Sequence, residues 1–170
     1  MTAKSAGARV ALSIEHGPHA GLEAPEVRRR AQAMLTALQL KKVEVSLVMT
    51  NDDQIRDLNR VYRGKDRPTD VLAFAQREGE LSGLAGDLLG DVVVSVPTAR
   101  RQAARAKKPL MDEVTMLVAH GLLHLLGWDH QTAAEDRAMR AETERLCAAA
   151  LPRALRAPRA LPQRVERGRR

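Results

Sequence analysis

The stretch HGLLHLLGWDH, residues 120–130, organises everything else in this chain. His120 and His124 are four residues apart in an apolar run. On a helix of about 3.6 residues per turn, positions i and i+4 lie one above the other on one face. Gly127 then offers a helix stop, because a residue without Cβ accepts the left-handed backbone of a helix C-terminus. The chain turns there and brings His130 back toward the pair. Three neutral imidazoles with a fourth position left open is how a catalytic zinc is held, as opposed to a closed structural site. Three of the five histidines fall within these eleven residues, which weighs against a chance pair of core histidines bonded to backbone carbonyls.

The spacing HxxxHxxGxxH is that of the metzincin zinc-binding segment, with one departure. The protease motif carries Glu directly after the first His, as general base. Here that position is Gly121. The metal cradle is kept and the protease base is missing.

Outward from this segment, the chain reads as one α+β domain over residues 1–150, with a basic, Pro/Arg-rich tail at 151–170. Val10, Leu12 and Ile14 alternate with small or polar residues as a strand does. Pro25 opens a segment, Glu26 to Leu40, with apolar residues at helical spacing. Residues 42–50 alternate again. Thr50 or Asn51 caps a helix that runs to about Tyr62, with Asp52 and Asp53 at the positive end of its dipole. RGKDRPTD, residues 63–70, is a polar loop. Val71 to Gln76 is a short strand, and 77–86 carries turn signals at Gly79, Gly83 and Gly86. A β-branched run from Asp91 to Val96 is a central strand. Pro97 starts a basic helix to about Lys108, Pro109 leads into the helix of His120 and His124, and Thr132 to Ala150 forms the last helix. The expectation is a mixed sheet of about four strands with about five helices, one of them a zincin-like metal-site helix.

Composition narrows the class. A chain of 170 residues buries a core without staples. The single cysteine, Cys147, excludes an internal disulfide framework and reads as a small buried residue. No N-terminal apolar run has the length of a signal peptide or a membrane span, so the expected setting is reducing and cytoplasmic. Of the net charge of +7, most sits in the tail, where seven arginines stand against one acid. Such an arm is a solvated extension, or it adds sequence-independent affinity for phosphate backbones. Tyr62, Phe74 and Trp128 are the only aromatics. That scarcity argues against base stacking as the main way of binding nucleic acid and favours contacts by Arg and Lys.

Three blocks resemble the YbeY family of bacterial ribosomal RNA maturation endoribonucleases. HGLLHLLGWDH at 120–130 is similar to the family's HGxLHLxGYDH. LNRVYRGKDRPTDVLAF at 58–74 is similar to NxxYRxKDxPTDVLSF, and LLGDVVVSV at 88–96 is similar to its LGD strand. Trp128 replaces the usual Tyr, and Ala73 replaces the common Ser. The arginine tail and the first dozen residues lie outside the resemblance.

The resemblance implies a metal-dependent, single-strand-specific endoribonuclease acting on the 3′ end of small-subunit ribosomal RNA and in ribosome quality control. It implies that Arg63 is functionally important. Arg63, Lys65 and Arg67 alternate on one turn, and the planar Arg fork and the Lys point charge both suit phosphate. The expected ligands of one divalent ion, zinc first, are His120, His124 and His130. Arg63 is the expected catalytic residue, and Lys65 and Arg67 the expected substrate contacts. Ribosomal RNA and the small subunit are the expected partners, with no membrane and no nucleotide cofactor. A non-catalytic assembly factor with a structural metal is the first alternative and a zinc protease the second. Asp66, Thr69 and Asp70 are read as turn residues. Asp129 either orients an imidazole or caps the last helix. His16 and His19, in a turn sequence around Gly17-Pro18, are read as exposed.

Overall fold

The computed structural model describes residues 7–76 and 87–152. The turn signals between Gly79 and Gly86 and the tail from residue 153 onward lie outside the described residues. The described elements are β1 (Arg9–Ile14), α1 (Ala24–Ala37), β2 (Glu44–Thr50), α2 (Asp52–Arg63), β3 (Val71–Ala75), β4 (Leu88–Ser95), α3 (Val96–Ala106), α4 (Leu110–Leu125) and α5 (Ala133–Ala150). Four strands form one sheet in the order β1-β2-β4-β3. β1, β2 and β4 are parallel, and β3 runs antiparallel to β4. The α+β class and the mixed four-stranded sheet expected from the sequence are therefore present.

Alternation sets the two faces of this sheet. Val45, Leu47 and Met49 of β2 and Val92 and Val94 of β4 point into the main core, with Leu117, Leu122 and Leu123 of α4, Met34 and Leu35 of α1, and Leu146 of α5. A fully buried Leu or Met contributes roughly 1.5–3 kcal/mol, so this layer supplies most of the driving force. On the other face Val93 and Leu72 meet Ile55 of α2 in a smaller cluster, flanked by Val48, Leu58 and Phe74. α4 is the central helix: its flank from Glu113 to Leu125 is mostly buried. It packs on both β3 and β4, and α3, α1 and α5 pack around it. Among the described residues, no helix is long and apolar enough to cross a membrane.

The helix ends are chemically specified. The Asn51 side chain accepts from Gln54 N–H at 3.0 Å, which selects Asn51 over Thr50 as the α2 cap. Ser95 caps α3. Thr132 and Glu135 form a reciprocal capping box on α5; such caps contribute on the order of 1 kcal/mol each. Several boundaries differ from the sequence expectation, two of them by three residues. α1 stops at Ala37 rather than Leu40, because Gln39 takes a left-handed conformation (φ 57°) and Leu40 N–H bonds back to Leu35. β4 begins at Leu88 rather than Asp91, since Gly90 lies within the strand where it runs against β3.

A candidate metal centre in the cleft beside β3

The end of α4 is built as a Schellman turn. Gly127 has φ 89°. Its N–H bonds to His124 O at 3.0 Å, and Trp128 N–H bonds to Leu123 O at 3.0 Å. Those are the two reverse bonds that satisfy the last carbonyls of a helix and redirect the chain. The redirected segment carries His130 back over the helix end. Asp129 accepts from the His130 N–H at 2.8 Å, which fixes the turn. Of the two roles open to Asp129, capping α5 therefore falls to Thr132 instead.

The three histidines converge. Each offers a ring nitrogen, and these atoms all lie within 4.8 Å of one another. His120 Nε2 and His124 Nε2 are 3.0 Å apart. Two ligands at about 2.05 Å from a tetrahedral ion are separated by about 3.3 Å, so the pair already has nearly the required spacing. The rings meet edge to face, with centroids 4.6 to 5.6 Å apart. Burial, and then the neighbouring imidazoles, hold His120 and His124 below the ordinary histidine range. Both are thus neutral at neutral pH, with lone pairs available, as a metal requires. The donor set fits one divalent ion with room for an exchangeable ligand, because His130 is exposed and the cluster opens into a cleft.

Gly121 follows the first histidine, and its neighbours explain the missing protease base. A Cβ there would lie 2.5 Å from Val92 Cγ1, 3.0 Å from Val92 Cγ2 and 3.4 Å from Val71 Cγ2. α4 sits so close to the sheet at this point that no side chain fits. A glutamate at 121 would push the helix, and both histidines with it, off β4.

The cleft encloses about 1150 Å³ and is lined by both the histidine trio and the 63–70 loop. It runs along β3, one of the two edge strands of the sheet. Residues more than fifty positions apart in sequence are therefore neighbours. Arg63, at the last turn of α2, donates from Nη2 to the carbonyl of Ala73 at 2.9 Å. Its guanidinium carbon stands 5.7 Å from the Phe74 ring centroid. One edge of the guanidinium is thereby anchored while its remaining donors stay exposed toward solvent. Its charge is also felt at His124. Lys65 and Arg67 are exposed and line the same cleft.

Other side chains hold the loop. Buried Asn59 donates from Nδ2 to Arg67 O at 2.8 Å. Asp70 accepts from Val71 N–H at 2.8 Å and from Gln102 Nε2 at 3.1 Å. Asp66 pairs with Arg56 rather than serving only the turn, and that guanidinium keeps its carboxyl below the usual carboxylate range. Asp70 is thus the turn residue expected from the sequence, whereas the roles of Asn59 and Phe74 were not singled out; in one dimension Asn59 is an ordinary polar residue on an amphipathic helix. His16 is exposed, and His19 is half-buried with Nε2 2.9 Å from Glu15 O, away from the trio.

With this geometry in hand, three comparisons are informative. A family model described as Endoribonuclease YbeY matches residues 19–150. An endoribonuclease YbeY of Aquifex aeolicus is 43% identical over 130 residues, covering 76% of this chain and 85% of the relative. One from Syntrophus aciditrophicus is 42% identical over 106 residues, covering 62% of this chain and 66% of the relative, just under two thirds of its length. A solution structure from Thermotoga maritima superposes with a TM-score of 0.58 at 24% identity, covering 84% of this chain and 88% of that one, a likeness of fold.

Proposed function

The chain belongs to the endoribonuclease YbeY family, and from that premise we propose that it is a metal-dependent endoribonuclease cutting single-stranded RNA in ribosomal RNA maturation. The substrate is the 3′ region of small-subunit RNA, the partner is the ribosome, and the setting is cytoplasmic. Residues 1–150 act as the hydrolase domain and 151–170 as a basic arm. The observation that carries the reading is the opening of the three-histidine cluster into a cleft that Arg63 also lines.

His120, His124 and His130 would hold the ion, and the all-nitrogen set favours zinc over magnesium or calcium. When bound, the ion supplies Lewis acidity toward the phosphodiester. Arg63 stabilises the charge that develops on the phosphate, at a position set by the Ala73 carbonyl and the Phe74 ring. Lys65 and Arg67 hold neighbouring phosphates. At about 1150 Å³ the cleft exceeds the usual 300–1,000 Å³ of a small-molecule pocket, which suits several nucleotides of a strand.

Elemental analysis of the purified protein, paired with cleavage of single-stranded RNA with and without chelator, tests this. About one zinc per chain and chelator-sensitive cleavage are expected. His124→Ala should keep its circular dichroism and lose both the metal and the cleavage. A variant that unfolds would instead favour a structural metal, and peptide cleavage without RNA cleavage would favour a protease. Product ends identify the nucleophile: a 2′,3′-cyclic phosphate assigns it to the RNA 2′-hydroxyl, and a linear monophosphate to water.

A further inference from the structure

The chain has one Tyr, one Phe and one Trp, and all three line the metal cleft. Two of them are not buried as aromatics usually are. Tyr62 is 65% exposed and Trp128 36% exposed. They come from different elements, Tyr62 from the end of α2 and Trp128 from the turn after α4. The main core is meanwhile filled entirely by aliphatic residues and methionine. Leaving large apolar rings in water is unfavourable unless something covers them.

The Tyr62 ring is held by a neighbour, and the turn places Trp128. The Tyr62 ring meets Phe74 edge to face, with centroids 5.2 Å apart and an interplanar angle of 63°. Phe74 is in turn under the Arg63 guanidinium. The Trp128 backbone is set by the Schellman turn it closes through Leu123. Three cations, Arg63, Lys65 and Arg67, line the same cleft, against two carboxylates, Asp70 and Asp129. Exposed aromatic faces interleaved with basic side chains match a single-stranded nucleic acid, whose unpaired bases stack while its phosphates pair with Arg and Lys. An apolar protein partner would leave those cations facing hydrophobic surface.

We propose that Tyr62 and Trp128 are base-stacking surfaces that grip unpaired nucleotides on the two sides of the cleft, selecting single strands over duplexes. The inference rests on the RNA-cleaving reading above. It revises the sequence expectation: the aromatics are few, yet each is placed at the site. A duplex keeps its bases inside the helix and has nothing to offer these rings.

Because Trp128 is the only tryptophan, the intrinsic fluorescence of the unmodified full chain reports on that ring alone. In rapid mixing with a single-stranded oligoribonucleotide, the tryptophan emission should be quenched before any product forms. An abasic ribose-phosphate oligomer of equal length and a blunt duplex should give little quench. Tyr62→Ala and Trp128→Ala should each weaken single-strand binding by between about 5- and 100-fold, with Trp128→Phe close to wild type and Trp128→Leu close to Trp128→Ala. The slope of log affinity against log salt should stay unchanged in these variants, whereas Lys65→Ala or Arg67→Ala should reduce it by roughly one. Both rings are exposed, so thermal melts of the variants should match wild type.

Wild type that cleaves RNA yet shows no base-dependent quench overturns the stacking assignment alone. So does undiminished affinity in both alanine variants, which would turn the exposed rings over to a protein partner. Wild type that neither binds nor cleaves RNA overturns this inference together with the proposed function.

Discussion

Gly121 shows how a single absent side chain fixes both geometry and chemistry. Its hydrogen is the only group that fits between α4 and Val92. Gly121→Ala should therefore destabilise the protein by about 2 kcal/mol, in the usual range for overpacking a tight core, and weaken metal binding by shifting the two flanking histidines. Denaturant unfolding and metal titration check both effects; stability within about 0.5 kcal/mol of wild type would contradict the packing argument. Arg63 is the second such position. Lysine there keeps the charge but loses the planar fork that reaches the Ala73 carbonyl while lying over Phe74. Arg63→Lys should lower kcat for RNA cleavage by roughly 10²-fold with little change in melting temperature, as removal of one transition-state donor usually does. A variant within about twofold of wild type would show that the charge alone suffices. The histidine trio was legible in the sequence because its spacing is local, four residues and then six across one glycine. Arg63 was visible only through a resemblance, since nothing within a few residues of it reveals that β3 will bring it beside residues 120–130.

At the scale of elements, apolar periodicity, β-branched runs and proline and cap signals together were enough to find every described helix and strand. Boundaries were lost where a non-glycine took a glycine's conformation. Gln39 and Lys107, both with positive φ, end α1 and α3 with no sequence mark. Gly127 is the opposite case, where the residue type announces the turn. Gly127→Ala would force a Cβ into φ 89°, costing on the order of 1 kcal/mol. Its larger effect should fall on metal affinity, because the turn aims His130; isothermal titration would show a loss of roughly tenfold or more. An equal loss of stability and no loss of affinity would mean that His130 is positioned by something else. α1 supplies a pH-dependent joint. Glu26 bonds to Arg29 and Arg30, which reach on to Ala150 O of α5 and Thr115 of α4. Hydrogen bonds from Arg29 and Arg30 hold the Glu26 carboxyl at about 2, against 4.5 for the free group. A depressed carboxylate stabilises the fold above its unfolded pKa. That contribution is lost as pH falls from about 4.5 toward about 2. The group is partly solvated, so the contribution is about 1 kcal/mol. Urea unfolding of wild type and Glu26→Gln should differ at pH 6 and converge near pH 2; a constant difference would remove the joint from the account.

For the whole molecule, the strand order matters more than any element. Sequence neighbours β2, β3 and β4 are rearranged so that β3 takes the edge, and the order β1-β2-β4-β3 has no local signature. That placement lets a loop from one face of the sheet and a helix end from the other meet across β3. The core that supports the meeting does not depend on the ion. Its residues come from α1, β2, β4, α3, α4 and α5, while the metal donors come only from the end of α4 and the turn that follows. Removing the metal should thus leave a folded protein with a loosened turn. Binding to the native state alone stabilises by RT ln(1 + [L]/Kd), about 4 kcal/mol at a thousandfold excess over Kd, or roughly 10 °C for a domain of this size. Chelation should lower the melting temperature by about that much and keep the far-ultraviolet circular dichroism. Faster amide exchange should be concentrated at 124–132, while protection in β2 and β4 stays close to that of the loaded protein. Collapse of the whole dichroism spectrum on chelation would instead make the ion part of the core, and the open, reactive site argued from the histidine geometry would have to be given up.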